Sequence, residues 1–206
     1  MVDSLRSPGV AAIGGSVVIA LVPAVVAAQA GRTEPAEAIP HWLVLGLIML
    51  GPAVIGAIGV ARRSRAALVA AAGSCIPVSV LSVATMPIVV PALLFLVAAR
   101  AAPPASRPTS WLAAMAAAVL AGGSLFALIL NTETRCWLAF ETAAGMDYRV
   151  VSEADAARPL GGPGGPVAAG CDGGEFTARG VLVAAALFGG AVAAAGAASR
   201  GRPGSA

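Results

Sequence analysis

Residues 131–180 read "NTETRCWLAFETAAGMDYRVVSEADAARPLGGPGGPVAAGCDGGEFTARG" and form a polar island in an otherwise apolar chain. The island holds eleven of the chain's Arg, Asp and Glu residues and two of its three cysteines. The whole chain has only 13 Lys and Arg and 10 Asp and Glu, so nearly half of its charge lies in this segment. The segment therefore separates a long apolar part before it from one apolar run after it.

The composition outside the island is that of a membrane protein. The chain is 58% hydrophobic and 11% charged, whereas soluble proteins are roughly a quarter charged. Each uncharged run reaches the roughly 20 residues that a helix needs to cross the hydrocarbon layer. These runs are 7–31, 42–61, 66–99, 108–132 and 180–199. The sequence predicts an all-α polytopic helical bundle, and the Ala, Gly, Val, Pro and Arg bias without lysine is typical of a bacterium.

Arginines next to short loops predict which side of the cell membrane each loop occupies, because such arginines tend to remain in the cytoplasm. If all of them are inside, the run between Arg65 and Arg100 crosses twice. The prediction is then six transmembrane helices at about 9–30, 42–61, 66–84, 88–103, 110–130 and 180–199. Both termini and the tail 200–206 are cytoplasmic, and the loop 131–179 is extracytoplasmic. The topogenic residues are Arg62, Arg63, Arg65, Arg100, Arg107, Arg200 and Arg202.

Five spans, or a re-entrant segment, remain the alternative, since the arginine count fits five and six spans equally. A single helix over residues 66–99 would be about 51 Å long, well beyond the hydrocarbon thickness even when tilted. Pro77, Pro87 and Pro91 also interrupt that run, and a turn around Met86-Pro87 is expected. These features favour six spans.

The first span has a second interpretation as a cleaved signal peptide. Arg6 precedes its apolar core, and the segment ends in "AQA", a small-residue motif that would allow cleavage after Ala30. Its apolar stretch is longer than a usual signal core, and Asp3 lies in the n-region. The sidedness of the remaining spans is the same in both cases.

The polar island is expected to be a small cap closed by a disulfide between Cys136 and Cys171. Thiols outside the cell are oxidised, and closing a loop of this length stabilises it by roughly 3 to 4 kcal/mol in the chain-entropy model. The alternation in "RCWLAFE", a turn with Gly145 and the return "YRVVSE" predict a β-hairpin. The Gly- and Pro-rich stretch "AARPLGGPGGPVAAG" is expected to be irregular.

Residues able to carry chemistry are scarce. His41, the only histidine, lies beside Trp42 at a predicted interface, which is typical of a structural anchor. Cys75 has no neighbouring base or positive charge in sequence and is expected to be a buried small residue. No phosphate-binding loop, zinc-protease helix or nucleophile elbow is present. No catalytic, cofactor-binding or metal-binding residue is therefore predicted.

Small residues at a spacing of four predict close helix packing, because they let helix backbones approach in lipid. Two such stripes run side by side in the last span, and the fifth span has a third. The helix-packing residues predicted from them are Ala186, Gly189, Gly190, Ala194 and Gly122.

A bundle without reactive groups and an ordered outer loop together favour a non-enzymatic accessory or assembly subunit whose cap binds a partner. The alternative is a small permease or channel in which Pro-broken helices line a path. The expected partners are the lipid bilayer and another membrane protein or a second copy of the chain. Nucleic acid is not expected, because the arginines form no basic face.

Overall fold

The computed structural model describes residues 2–22, 25, 41–80, 87–104, 107–143, 145–157, 160–161 and 164–200. These described residues are mostly helical, with one small sheet. The helices are α1 (Val2–Ala20), α2 (His41–Met49), α3 (Gly51–Arg62), α4 (Arg65–Val80), α5 (Val89–Ala101), α6 (Pro108–Leu130), the short α7 (Glu153–Ala156) and α8 (Ala178–Ser199). The strands are β1 (Thr132–Thr142), β2 (Gly145–Val151) and β3 (Ala168–Phe176).

Three helical segments are long and apolar enough to cross a membrane. They are Leu43–Arg62, Pro108–Leu130 and Ala178–Ser199, which match three of the six predicted spans and indicate membrane localisation. In the described part of the chain, the other three apolar helices are shorter: Ser7–Ala20, Arg65–Ser79 and Val89–Ala101. The predicted spans 9–30 and 66–84 run on into residues outside the description. The expected turn at Met86 and the cleavage site after Ala30 also lie outside it.

The α5 helix ends for a local reason. Ala102 has extended backbone, with φ −81° and ψ 149°, and Pro103 and Pro104 follow it. Proline disfavours helical backbone at the residue before it and supplies no N–H for the helix ladder. α5 therefore stops two residues before the predicted boundary at 103.

A tight turn makes α3 and α4 antiparallel. Arg63 adopts the left-handed conformation, with φ 50° and ψ 41°, and the Ser64 N–H donates to the Gly59 carbonyl at 2.9 Å. This pattern ends a helix within one residue. The Ser64 hydroxyl then accepts from the Ala67 N–H at 3.3 Å and caps α4. The arginine-rich "RRSR" is thus a two-residue helix–helix turn.

Contacts of glycines establish the direction of the other helices. A Cβ at Gly73 would lie 3.3 Å from Ala118, and one at Gly122 would lie 2.8 Å from Pro77, so α4 and α6 are parallel. On the opposite side of α6, Gly190 of α8 faces Leu120, whereas Leu187 of α8 faces Gly123. The later residue of α8 therefore meets the earlier residue of α6, which makes the two helices antiparallel.

Similar contacts establish the directions of α1 and α3. A Cβ at Gly9 would lie 3.8 Å from Ala98 and one at Gly15 would lie 3.0 Å from Pro91, so α1 and α5 are antiparallel. Gly51 lies beside Phe188, and the Ser64 hydroxyl lies 3.4 Å from the Ala198 carbonyl oxygen, so α3 and α8 are parallel. Gly9 of α1 also lies against Val60 of α3, and a Cβ at Gly46 of α2 would lie 3.0 Å from the Ala20 carbonyl oxygen, so α1 is antiparallel to α2 and α3. Successive long helices therefore alternate in direction, with α2 and α3 as one broken rod.

The core of the bundle is built mainly from small residues. Most of its buried side chains are alanines, and its largest fully buried side chain, Phe95 of α5, fills the space left by Gly56 of α3. Leu68 of α4 packs in the same way against Gly59. Large apolar side chains instead face outward on every rod, for example Val18, Leu47, Ile76, Val90, Val119 and Leu182. Small residues inside and large apolar residues outside are typical of helices in lipid, which associate through close packing.

The sheet is antiparallel with the order β2-β1-β3. The β1–β2 hairpin turns at Gly145, which has a φ of 120°, and this confirms the predicted hairpin. The third strand was not predicted. Residues 168–170, expected to be irregular, begin β3 because β1 supplies backbone hydrogen-bond partners along its second edge.

Candidate partner-binding surface

Three residues fix the sheet to the ends of α6 and α8. The Thr177 N–H donates to the Asn131 carbonyl at 3.0 Å, and the Thr177 hydroxyl accepts from the Gly180 N–H at 3.0 Å as the N-cap of α8. A Cβ at Gly180 would lie only 2.7 Å from the Asn131 Cβ. Glycine at 180 therefore allows the end of α6 and the start of α8 to lie side by side. β1, which follows α6, and β3, which precedes α8, thus continue this helix pair as neighbouring strands.

A disulfide joins Cys136 of β1 to Cys171 of β3, as predicted. The two residues are directly opposite in the sheet, with their Cα atoms 3.9 Å apart. Cys136 is buried, whereas Cys171 is exposed. The disulfide holds the glycine-rich β3 against β1, which compensates for the weak strand propensity of glycine.

The sheet presents an aromatic face, which we define as Trp137, Met146, Tyr148 and Val150. Trp137 lies opposite Gly170, and a Cβ there would be 2.6 Å from its indole, so only glycine leaves room for the ring. Tyr148 contacts Trp137 edge to face, with ring centroids 5.6 Å apart. Met146, Tyr148 and Val150 are 49%, 62% and 58% exposed. An ordered strand thus exposes three consecutive same-face apolar side chains.

The opposite side of β2 carries charge. Arg149 forms an ion pair with Asp147 at 3.1 Å, and its guanidinium lies 4.8 Å from the centroid of the Phe140 ring. Both charged side chains are about half exposed or more, so the ion pair contributes little stability and mainly orients the two groups. β2 therefore alternates apolar and charged side chains between its two faces.

The predicted topogenic arginines gather at the end of the bundle remote from the sheet. Arg62, Arg63 and Arg65 lie at the α3–α4 turn, Arg100 near the end of α5, Arg107 just before α6 and Arg200 just after α8. The alternating helix directions bring these positions to the same end. Arg202 lies outside the described residues.

The predicted helix-packing residues have different surroundings. Gly122 is buried against Pro77, and a Cβ at Gly190 would lie 3.3 Å from Leu120. Ala194 is partly buried against the core. Gly189 has nothing within 4 Å of a Cβ, and both it and Ala186 are exposed.

The remaining candidates for chemistry lie on separate helices. His41 begins α2, and Cys75 is a free, buried cysteine in α4. Among the described residues, no group of three or more His, Cys, Asp or Glu side chains could hold a metal ion. Sequence reasoning missed the aromatic face, although "WLAF" and "MDYRVV" carry the signal, since their alternation places Trp137, Tyr148 and Val150 on one side of a hairpin.

Comparisons with known proteins found no matching family model, no similar curated protein and no similar solved structure.

Proposed function

We propose that the protein is a non-enzymatic accessory or assembly subunit of a bacterial cell membrane, and that its cap, residues 131–179, binds a partner outside the cell. The observation that supports this most directly is the aromatic face. A disulfide and the helix ends hold it in place, yet three of its side chains, Met146, Tyr148 and Val150, are exposed. Exposed apolar patches on ordered elements are typical of protein-binding surfaces.

The proposed topology has six crossings, with both termini in the cytoplasm. This topology is supported by the positions of the topogenic arginines, which lie at one end of the bundle within the described residues, whereas the sheet lies at the other end. Arginine-rich short loops favour the cytoplasmic side, so the sheet then faces the oxidising exterior, where its disulfide is stable. The three shorter helices cross in this proposal because each exposes large apolar side chains to lipid, including Val18, Ile76 and Val90.

The bundle itself is proposed to be structural rather than a transport path. The buried polar side chains of the described core are serines. Ser16, Ser74 and Ser124 donate their hydroxyl hydrogen bonds to carbonyls three or four residues earlier in their own helices, at 2.7 to 2.9 Å. Such hydroxyls are already satisfied and offer little to a translocated ion, so the permease or channel alternative gains no support from them.

The function is tested by removing the cap without disturbing the bundle. The Asn131 carbonyl oxygen and Thr177 N–H are hydrogen-bonded, so a short Gly–Ser turn can replace residues 132–176. A photo-crosslinking amino acid at Tyr148 should give one discrete adduct in intact cells, and the same group at Ala143 in the hairpin turn should not. The cap-less variant should insert in the membrane normally, but the crosslinked partner should no longer co-purify with it. Co-purification of that partner without the cap would refute the proposal.

A further inference from the structure

The outer edge of β2 is unpaired in the described part of the chain. β1 is the central strand, so β2 has one neighbour and one open edge. Natural proteins often protect such edges with charged side chains, proline or a bulge. β2 has no proline, its pairing with β1 is continuous from Gly145 to Val151, and its two charged residues, Asp147 and Arg149, form an ion pair with each other.

The register shows which backbone groups face this open edge. Cys136 and Cys171 are directly opposite with Cα atoms 3.9 Å apart, which is the short spacing of a pair that exchanges no hydrogen bonds. The N–H and C=O of Cys136 therefore point the other way, toward Val151 of β2. Along β2, residues at positions 145, 147, 149 and 151 then bond to β1, whereas 146, 148 and 150 direct their backbone groups outward.

The same three residues, Met146, Tyr148 and Val150, carry the exposed side chains of the aromatic face. Their side chains are available on one face while their N–H and C=O groups are available at the edge. A helix cannot satisfy such a row of alternating donors and acceptors, but an extended backbone can. The edge therefore specifies the conformation of what binds it.

We propose that the partner binds by strand addition, with an extended segment pairing antiparallel to β2 and becoming a fourth strand of the cap. This inference rests on the proposed function and specifies the contact. The residues opposite Met146, Tyr148 and Val150 are apolar. The residue opposite Asp147 is basic and the one opposite Arg149 is acidic, because directly opposed charges of opposite sign stabilise a strand pair. The partner segment reads apolar–acidic–apolar–basic–apolar.

The sequence of β2 has this pattern itself, in "MDYRV". In an antiparallel pair centred on position 148, Asp147 of each strand lies opposite Arg149 of the other. A synthetic peptide copying residues 145–151 is therefore a suitable probe, and it is free of the geometric constraints of a second membrane-embedded copy. Its binding to the full protein in detergent is measured by the fluorescence anisotropy of a labelled peptide.

Backbone N-methylation provides a test that does not depend on how any protein variant folds. Methyl groups at the peptide's equivalents of 146, 148 and 150 remove the donors that face β2. Methyl groups at the equivalents of 147 and 149 leave those donors intact. The first peptide is expected to bind at least about tenfold more weakly than the unmethylated one, and the second within about threefold of it.

A matched pair of protein variants tests the edge from the other side. Tyr148→Pro and Tyr148→Ala both remove the aromatic ring and keep the ladder with β1, but only the proline also removes one outward N–H. We expect the proline variant to bind the peptide about tenfold more weakly than the alanine variant. A peptide with its acidic and basic residues exchanged should also bind more weakly.

Three results would overturn strand addition: no saturable binding of the unmethylated peptide, equal binding of the two methylated peptides, or equal binding to Tyr148→Pro and Tyr148→Ala. The proposed function has a separate outcome. If the peptide test fails but removal of the cap still abolishes co-purification of the crosslinked partner, the cap binds its partner by its face rather than its edge. If removal of the cap leaves that co-purification unchanged, the proposed function itself is wrong.

Discussion

Removal of the disulfide should loosen the cap while leaving the helices in place, and the structure allows the size of the effect to be worked out. For a free chain, a link between residues separated by 35 positions removes loop entropy worth about 4 kcal/mol. The cap, residues 132–176, is not a free chain, because Asn131 and Thr177 hold its ends together. The disulfide therefore divides a loop that is already closed.

The magnitude follows from that division. The disulfide splits the closed loop into a ring of about 35 residues and a ring of about 11. Closing these two rings costs more chain entropy than closing the undivided loop, and the difference corresponds to about 2.5 kcal/mol. Local unfolding of the cap should become about 70-fold more frequent, since each 1.36 kcal/mol corresponds to a factor of ten. Alanine at both positions is the suitable change, because Cys136 is buried and a serine hydroxyl there would add a desolvation cost.

Hydrogen–deuterium exchange in lipid nanodiscs measures the effect. In the variant carrying Cys136→Ala and Cys171→Ala, amides of β1 and β3 should exchange about 70-fold faster, while those of α6 and α8 should be unchanged. Cys75→Ala is the control, because that cysteine is free and lies in α4. Equal exchange of the cap with and without the disulfide, or equal acceleration in cap and helices, would refute the anchored-loop reasoning.

Three further predictions test the packing, the topology and the aromatic face. Gly190→Leu should lower the free energy of unfolding in detergent by about 1 to 3 kcal/mol because it overpacks the α6–α8 contact, whereas Gly189→Leu should change it little. Similar melting temperatures for the two variants would contradict the packing. In a background without native cysteines, a cysteine at Ala143 should react with a membrane-impermeant thiol reagent in intact cells and one at Pro104 should not, and the reverse result would invert the topology. Gly170→Ala should displace the opposing indole and shift the tryptophan near-ultraviolet circular dichroism, and an unchanged spectrum would show that the ring does not lie on that glycine.

Composition and local sequence pattern were enough to predict the features that depend on a few neighbouring residues. Long apolar runs predicted the membrane-compatible helices, of which Leu43–Arg62, Pro108–Leu130 and Ala178–Ser199 have the required length. Alternation around Trp137 and the glycine at 145 predicted the hairpin, and two cysteines in a polar segment predicted the disulfide. These features follow from hydrophobic periodicity and turn chemistry, which act over a few residues.

Features that depend on contacts between distant residues could not be predicted from the sequence. "AAGCDGGEF" has no strand pattern of its own, and it forms β3 because β1 offers a hydrogen-bonding edge and Cys136 a covalent link. Likewise, the small-residue pattern of α8 does not reveal that Gly190 meets α6 while Gly189 faces outward. Small side chains repeat on every face of so alanine-rich a helix, so only the position of the neighbouring helix selects the face that packs.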